Sequence, residues 1–190
     1  MAIDTGKIFV PARRTARLCV VASALVAAPP AFSSTQGTLG ATSTGSVSIT
    51  ASVANRAQIT GLTDISFSAV DPATAATSAQ SDCVWSNTAT KGYSITATGS
   101  GTSGAFTLAN GSLTVPYSVQ WAASTGQTSG SALTAGTALG GLTTTAANPT
   151  CSTGAATTSS LIVSISAPNL QGMEAGVSYT GTLTLLVTPQ

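Results

Sequence analysis

Alternation of apolar and polar residues with a period of two is the feature that most limits how this chain can fold. From Leu113 to Trp121 the odd-numbered positions are apolar, and the even-numbered ones hold polar residues or Pro116. The same period recurs from Val177 to Val187. A strand with one buried face has this period, because successive side chains point to opposite sides of the sheet. No comparable helical periodicity is present, so the sequence predicts strands.

Shorter alternating segments and the turns between them extend this prediction to the whole chain. The segments span residues 47–53, 65–69, 83–85, 93–97, 106–108 and 161–165. Turn-forming clusters such as residues 99–104 and Asn110-Gly111 separate them. Residues 70–81 and 122–150 are predicted long connections, the second with one weak strand around 132–139. Pro116 has no amide hydrogen, which favours an edge position for its strand. Many short strands divided by turns indicate an all-β sandwich.

The first 33 residues have the pattern of a targeting segment. Arg13, Arg14 and Arg17 precede an apolar run over residues 18–28, which has the length of a signal-peptide core and is too short to span a bilayer. We predict a signal peptide over 1–33, with cleavage after Ser33 or alternatively after Ala31. A membrane anchor is the less favoured interpretation. The remaining length suits one domain of ordinary size.

Charged residues are scarce beyond the leader, and histidine is absent from the chain. Six basic residues occur in all, and the two that follow residue 33 are Arg56 and Lys91. So few cations cannot neutralise a run of phosphates, which excludes nucleic-acid binding through a basic surface. The carboxylates are too dispersed for a calcium loop, and a hydroxyl nucleophile lacks an imidazole base. We therefore expect no catalytic residue, no metal site and no cofactor.

Two cysteines follow the leader, Cys83 and Cys151. In an exported protein they most simply form one disulfide, because the compartment is oxidising and no further Cys or His is at hand for a metal site. Two free thiols are the alternative. Trp85 and Trp121 also have two interpretations: both fall on the apolar phase of a strand, which favours core packing over stacking on a sugar.

Segments spread over the chain resemble a known family. Residues Ser46–Val53, Leu113–Trp121 and Gly176–Thr188 resemble the major subunits of chaperone–usher fimbriae, most closely those of the colonisation-factor type. Ser86–Thr96 is similar to the second strand region of that group. The spore-coat U type of pilin-like domain is a second neighbour.

This resemblance implies an incomplete immunoglobulin-like sandwich over residues 57–190, which lacks its last strand. An N-terminal extension over 34–56 of the next subunit would complete it, with residues 44–54 as the donor strand. The donor side chains that would enter the groove are Val47, Ile49, Ala51 and Val53. An apolar strand of period two at a free terminus is suited to strand addition, because its backbone supplies affinity and its alternate side chains supply specificity.

The function implied is that of a structural subunit of a surface fimbria that supports adhesion and biofilm formation. Its partners would be further copies of itself, joined head to tail, a periplasmic chaperone and an outer-membrane usher. Export would pass through the periplasm to the cell surface, where the receptor is not specified.

Two other functions stay open at this point. One is a self-complete secreted sandwich that binds a ligand, for example a carbohydrate, with residues 46–53 paired within their own chain. It would require an exposed aromatic platform. An enzyme is the third, and would require a convergent pair of carboxylates.

Overall fold

The structure, a computed structural model, describes residues 34–190. The predicted signal peptide over 1–33 lies outside the described residues. The chain divides after Ala51 into two units. No helix among the described residues is long and apolar enough to cross a membrane.

Strands account for nearly all of the regular structure in residues 34–190. The elements in chain order are β1 (Ala57–Thr60), β2 (Ala76–Ser86), β3 (Gly92–Gly99), a 3₁₀ turn (Thr102–Gly104), β4 (Thr107–Asn110), β5 (Leu113–Pro116), β6 (Ser118–Ala122), β7 (Ser131–Ala132), β8 (Ala138–Thr143), β9 (Ser159–Ile165), α1 (Ala167–Gln171) and β10 (Leu183–Pro189).

The strands form three antiparallel sheets. The largest has the order β1-β2-β9-β6-β7, the second has the order β10-β3-β8, and β4 pairs with β5 in a separate hairpin. Residues of the two larger sheets share one apolar core, in which Tyr93, Ile95 and Trp121 are almost completely buried. Burying each large apolar side chain stabilises the fold by about 1.5–3 kcal/mol. The predicted all-β sandwich is confirmed.

The long alternating segment from Leu113 to Trp121 is not one strand, as its pattern predicts, but two. Tyr117 separates β5 from β6, and its amide donates to the Phe106 carbonyl at 3.0 Å. β5 pairs with β4, whereas β6 pairs with β9. The apolar phase continues through the break because Val115, Tyr117, Val119 and Trp121 all face the core. In agreement with the proline argument, Pro116 ends a strand that is paired on one side.

Other predicted boundaries differ from the structure in ways that follow from pairing. Residues 76–81, predicted as part of a connection, extend β2, since they pair with β9. The predicted strand 177–187 begins at Leu183, where pairing with β3 starts. The weak strand predicted around 132–139 is instead two strands, β7 and β8. Residues 65–69, which are predicted to form a strand, form none in the structure.

The short helix α1 was not anticipated from the periodicity. Ser166 caps its start, since the Ser166 hydroxyl accepts a hydrogen bond from the Asn169 amide at 3.4 Å. Pro168 lies in the first turn, where its missing amide hydrogen costs nothing. A helix of five residues is too short to show a period. The helix contributes Leu170 to the core, where this side chain is buried.

Candidate functional site

A long groove lies along the edge of the sandwich between β10 and residues 62–70. Its volume is about 970 Å³. Apolar side chains of both sheets line it, together with residues 177–183 and α1. The groove lies wholly within the unit Ser52–Gln190.

Strand β10 forms the first wall and has one open edge. It pairs with β3 along its full length, and within residues 34–190 no strand pairs with its other edge. Leu183, Leu185 and Val187 alternate along it, and all three are only half-buried. The intervening Leu186 faces the other way and is 59% exposed. This wall therefore offers unpaired backbone groups and incompletely buried apolar side chains in the same place.

Residues 62–70 form the second wall. Ile65 and Phe67 pack against the core, as the alternation of 65–69 predicts, yet within residues 34–190 no strand pairs with this segment. The Gln80 side chain holds its start: Oε1 accepts from the Thr63 amide and hydroxyl, each at 2.8 Å, and Nε2 donates to the Thr63 carbonyl at 3.1 Å. The segment is thus extended and anchored without a strand partner.

The floor of the groove is apolar. It is built from Leu161, Val163 and Ile165 of β9, from Leu170 of α1, and from Tyr117 between β5 and β6. The Tyr117 ring stacks on Phe106 with a centroid distance of 5.7 Å, and burial raises the pKa of the Tyr117 hydroxyl. A floor of this kind selects an apolar occupant, since burying an unpaired polar group there would cost free energy.

None of the predicted donor residues is among the residues that line this groove. Val47, Ile49 and Val53 are 73%, 89% and 82% exposed, and Ala51 is also exposed. Within the described chain, residues 47–53 form no strand. A bridge between Thr35 and Ser46 closes a loop just upstream. Residues 47–53 are therefore an exposed apolar segment that is not part of a strand in the described chain.

Cys83 and Cys151 form a disulfide, which is the preferred prediction from the sequence. Their Cα atoms are 6.0 Å apart and 68 positions separate them in the chain. Both residues are buried with Ala146, and Trp85 packs against them. The disulfide ties the loop between β8 and β9 to β2.

Asp82, next to this disulfide, is a buried carboxyl group. In the sequence it is one of several widely spaced acidic residues, and nothing there indicates its burial. Its side chain is completely buried, Oδ1 accepts from the Ser159 hydroxyl, and Oδ2 has no hydrogen-bond partner. Burial raises the pKa of Asp82 from 3.8 to about 6, although the Ser159 hydrogen bond acts to lower it. Folding therefore shifts the protonation equilibrium of Asp82 toward the neutral acid relative to the unfolded chain.

This carboxyl makes folding stability depend on pH. Because the folded pKa is raised, the contribution of Asp82 is complete below about pH 4 and is lost as the pH rises through about 6. Two pKa units correspond to about 3 kcal/mol. We expect the unmodified protein to have a higher free energy of unfolding than Asp82→Asn at pH 4. Between pH 4 and pH 7.5 this difference should shrink by up to about 3 kcal/mol. Urea unfolding at both pH values checks this.

The control is Thr114→Ala, which alters an exposed side chain that carries no titratable group. Its difference from the unmodified protein should be the same at both pH values. A margin for Asp82→Asn that does not change with pH would contradict the assignment.

The tryptophans do not form the platform that a sugar-binding site requires. Trp121 is 1% exposed, and its indole Nε1 donates to the Tyr93 hydroxyl at 3.1 Å. Trp85 is half-buried beside the disulfide. Core packing, the favoured interpretation, is confirmed for Trp121. Within residues 34–190, no three His, Cys, Asp or Glu side chains are grouped so as to hold a metal ion.

The resemblance implies an acceptor groove, but the sequence does not single out Gln80, which holds one wall of it, or Asn87, which holds residues 54–56. Both are polar residues that fix backbone through their amide groups. Nothing in the local pattern distinguishes them from other surface amides. The alternation of 65–69 is the one signal in the sequence that marks this wall, and it predicts a strand there.

Comparisons with known proteins add little to this geometry. No family model matches the sequence, and no curated protein matches it. Among solved structures, a chain from a chaperone–tip adhesin complex of CFA/I fimbriae biogenesis is similar, with a TM-score of 0.45 and 17% sequence identity. The match covers 72% of this chain and 41% of that chain, so this chain spans less than half of the other's length. Membership of the fimbrial family stays a prediction.

Proposed function

We propose that this protein is a structural subunit of a surface fimbria, joined head to tail by donor-strand complementation. Residues 44–54 of one copy would add a strand to the groove of the next. The observation that carries the proposal is the groove itself, which has an unpaired wall on each side and an apolar floor. Such a groove lacks one strand, and the chain has an exposed apolar segment of the matching period.

The dimensions of the two surfaces agree. Residues 47–53 and strand β10 both span six residue steps, or about 20 Å in extended conformation. Val47, Ile49, Ala51 and Val53 recur at every second position, as do Leu183 and Leu185, the β10 residues that line the groove. Side chains of the added strand would therefore meet apolar surface at every step on one face, while Ser48, Thr50 and Ser52 would face water.

Chain connectivity favours insertion into a neighbour over insertion into the same copy. Val47 lies seven residues before Ala54, so it reaches at most about 25 Å from that point. The wall of the groove begins eight residues after Ala54 and continues to residue 70. If the chain turned back at Ala54, Val47 would reach only residue 61, and the wall at 62–70 would meet residues 38–46, which are mostly Gly, Ser and Thr. A second copy has no such restriction.

The exit of the N-terminal segment and the groove lie at opposite ends of β2. β1 pairs with Cys83–Ser86, whereas the groove is lined by Gln80 and by the β9 residues that pair with 76–80. Because the donor segment and the groove are different surfaces of the chain, the proposed contact is heterologous and repeats without closing. This arrangement supports an open fibre.

An unfilled groove of this size is an aggregation hazard, since it joins exposed apolar surface to unpaired strand edges. We therefore include a periplasmic chaperone and an outer-membrane usher among the proposed partners. Adhesion and biofilm formation are the roles we propose for the fibre. Its exposure at the cell surface follows from the proposed export.

The test compares residues 34–190 with residues 54–190, which lack the donor segment but keep the start of the sandwich. We expect the longer protein to form fibres in negative-stain micrographs. We expect the shorter one to stay free of fibres, and a synthetic peptide of residues 44–54 to raise its melting temperature.

A peptide with Val47 and Ile49 both replaced by Asp is the matched control, and should bind neither groove nor fibre. An excess of the native peptide should shorten the fibres of the longer protein by capping free grooves. A shorter protein that is stable and indifferent to the native peptide would contradict the proposal and favour the self-complete binding module.

A further inference from the structure

The Asn87 side chain holds the point at which the N-terminal segment leaves the sandwich. Its Oδ1 accepts from the Arg56 amide at 2.6 Å, and its Nδ2 donates to the Ala54 carbonyl at 2.9 Å. The Asn87 amide in turn donates to the Arg56 carbonyl at 3.1 Å. All of these groups belong to the unit Ser52–Gln190.

The carboxamide acts here as a substitute for a backbone peptide. It presents one acceptor and one donor to the neighbouring chain, as the next residue of a strand would. β1 begins at Ala57, opposite Ser86. The Asn87 bonds therefore continue the pairing of β1 and β2 upstream to Ala54. Val53, the last predicted donor residue, directly precedes Ala54 in the chain. No unattached linker therefore separates the sandwich from the donor strand.

We propose that Asn87 is a positioning residue that stiffens the joint between consecutive subunits. This inference rests on the proposed donor-strand polymer. If residues 44–54 are held in the neighbouring groove and residues 54–56 are held by Asn87, the orientation of one sandwich relative to the next is restricted at both sides of the joint. Without the carboxamide, residues 54–56 lose two of these three hydrogen bonds and become a short flexible link.

The variant that tests this is Asn87→Ala in residues 34–190. We expect fibres of unchanged subunit composition whose persistence length, measured from electron micrographs, falls at least about twofold. Asn87→Asp keeps the acceptor for Arg56 but places a carboxylate oxygen against the Ala54 carbonyl, and should also give more flexible fibres. Asn148→Ala, which removes an amide bonded within its own loop at Thr150 and Ser152, is the control and should leave the stiffness unchanged.

A second measurement uses single copies, in which fibre formation plays no part. In the full 34–190 chain carrying Ile49→Asp, which we expect not to polymerise, hydrogen exchange at the Arg56 amide should accelerate at least about tenfold on addition of Asn87→Ala. Binding of the 44–54 peptide to the same two proteins should agree within about twofold, since Asn87 is not among the groove-lining residues.

The outcomes separate the two proposals. If the unmodified chain forms no fibres, the donor-strand polymer fails, and the joint proposal fails with it. If fibres form and Asn87→Ala leaves both their stiffness and the Arg56 exchange unchanged, the polymer stands and the role of Asn87 is refuted. A loss of peptide binding in Asn87→Ala would also overturn it, because it would place Asn87 in groove formation.

Discussion

Replacing Ile49 by Asp should abolish polymerisation of residues 34–190. Ile49 is 89% exposed in the single chain and, in the proposed polymer, moves into an apolar groove. The variant loses about 1.5–3 kcal/mol of apolar burial. A carboxylate in that floor costs several kcal/mol more, because it would find neither water nor a cation. We expect the affinity of a peptide carrying the change to fall at least about 1,000-fold, corresponding to about 4 kcal/mol.

The matched control is Thr50→Asp, which adds the same charge at the next position of the same segment. Thr50 is on the polar phase and would face water in the fibre, so this variant should polymerise almost normally. The readouts are sedimentation of the polymer and isothermal titration of the 44–54 peptides. Equal effects of the two substitutions would show that alternate side chains of this segment do not enter a groove, and would overturn the predicted donor register.

Removing the disulfide should lower the free energy of unfolding by about 4 kcal/mol. Cys83 and Cys151 close a loop with a sequence separation of 68, and a cross-link of this length restricts the unfolded chain by about that amount. For a domain of this size the melting temperature should fall by about 10 °C. Cys83→Ala with Cys151→Ala is the preferred variant, because both sites are apolar and buried and Ala leaves no unpaired hydroxyl.

A thiol reductant provides the control for this prediction. Under unfolding conditions it should lower the stability of the unmodified protein to about that of the double variant, and should leave the double variant unchanged. Each single variant should lose nearly as much stability as the double one, since either change removes the same bond. Alkylation of both cysteines in unfolded protein without reductant would show two free thiols and contradict the pairing.

Much of the fold could be predicted because alternation reports directly on burial. The apolar phases around Val115 to Trp121, Tyr93 to Ala97 and Leu161 to Ile165 all face the core. The strand boundaries were harder to predict from the sequence, since a strand ends where pairing with its partner ends. Tyr117 breaks a perfectly alternating segment because the residues before it pair with β4 and those after it pair with β9. Local sequence carries no information about that change of partner.

The candidate site shows the same division. The apolar phase of residues 47–53 and the pairing of Cys83 with Cys151 could be predicted from the residues themselves. The amides of Gln80 and Asn87 could not, because their importance comes from the backbone that lies opposite them.

The sequence by itself determined the class of this fold and the kind of surface each segment can bury, since both depend on the side-chain period along a single strand. Only the tertiary structure decided that β10 and residues 62–70 line one groove with no strand of the described chain, residues 34–190, between them. An open edge is a property of two segments more than a hundred residues apart, and no pattern within either segment records what stands beside it. Buried Asp82 is the same case, because its burial in the folded chain, and not its own sequence context, raises its pKa.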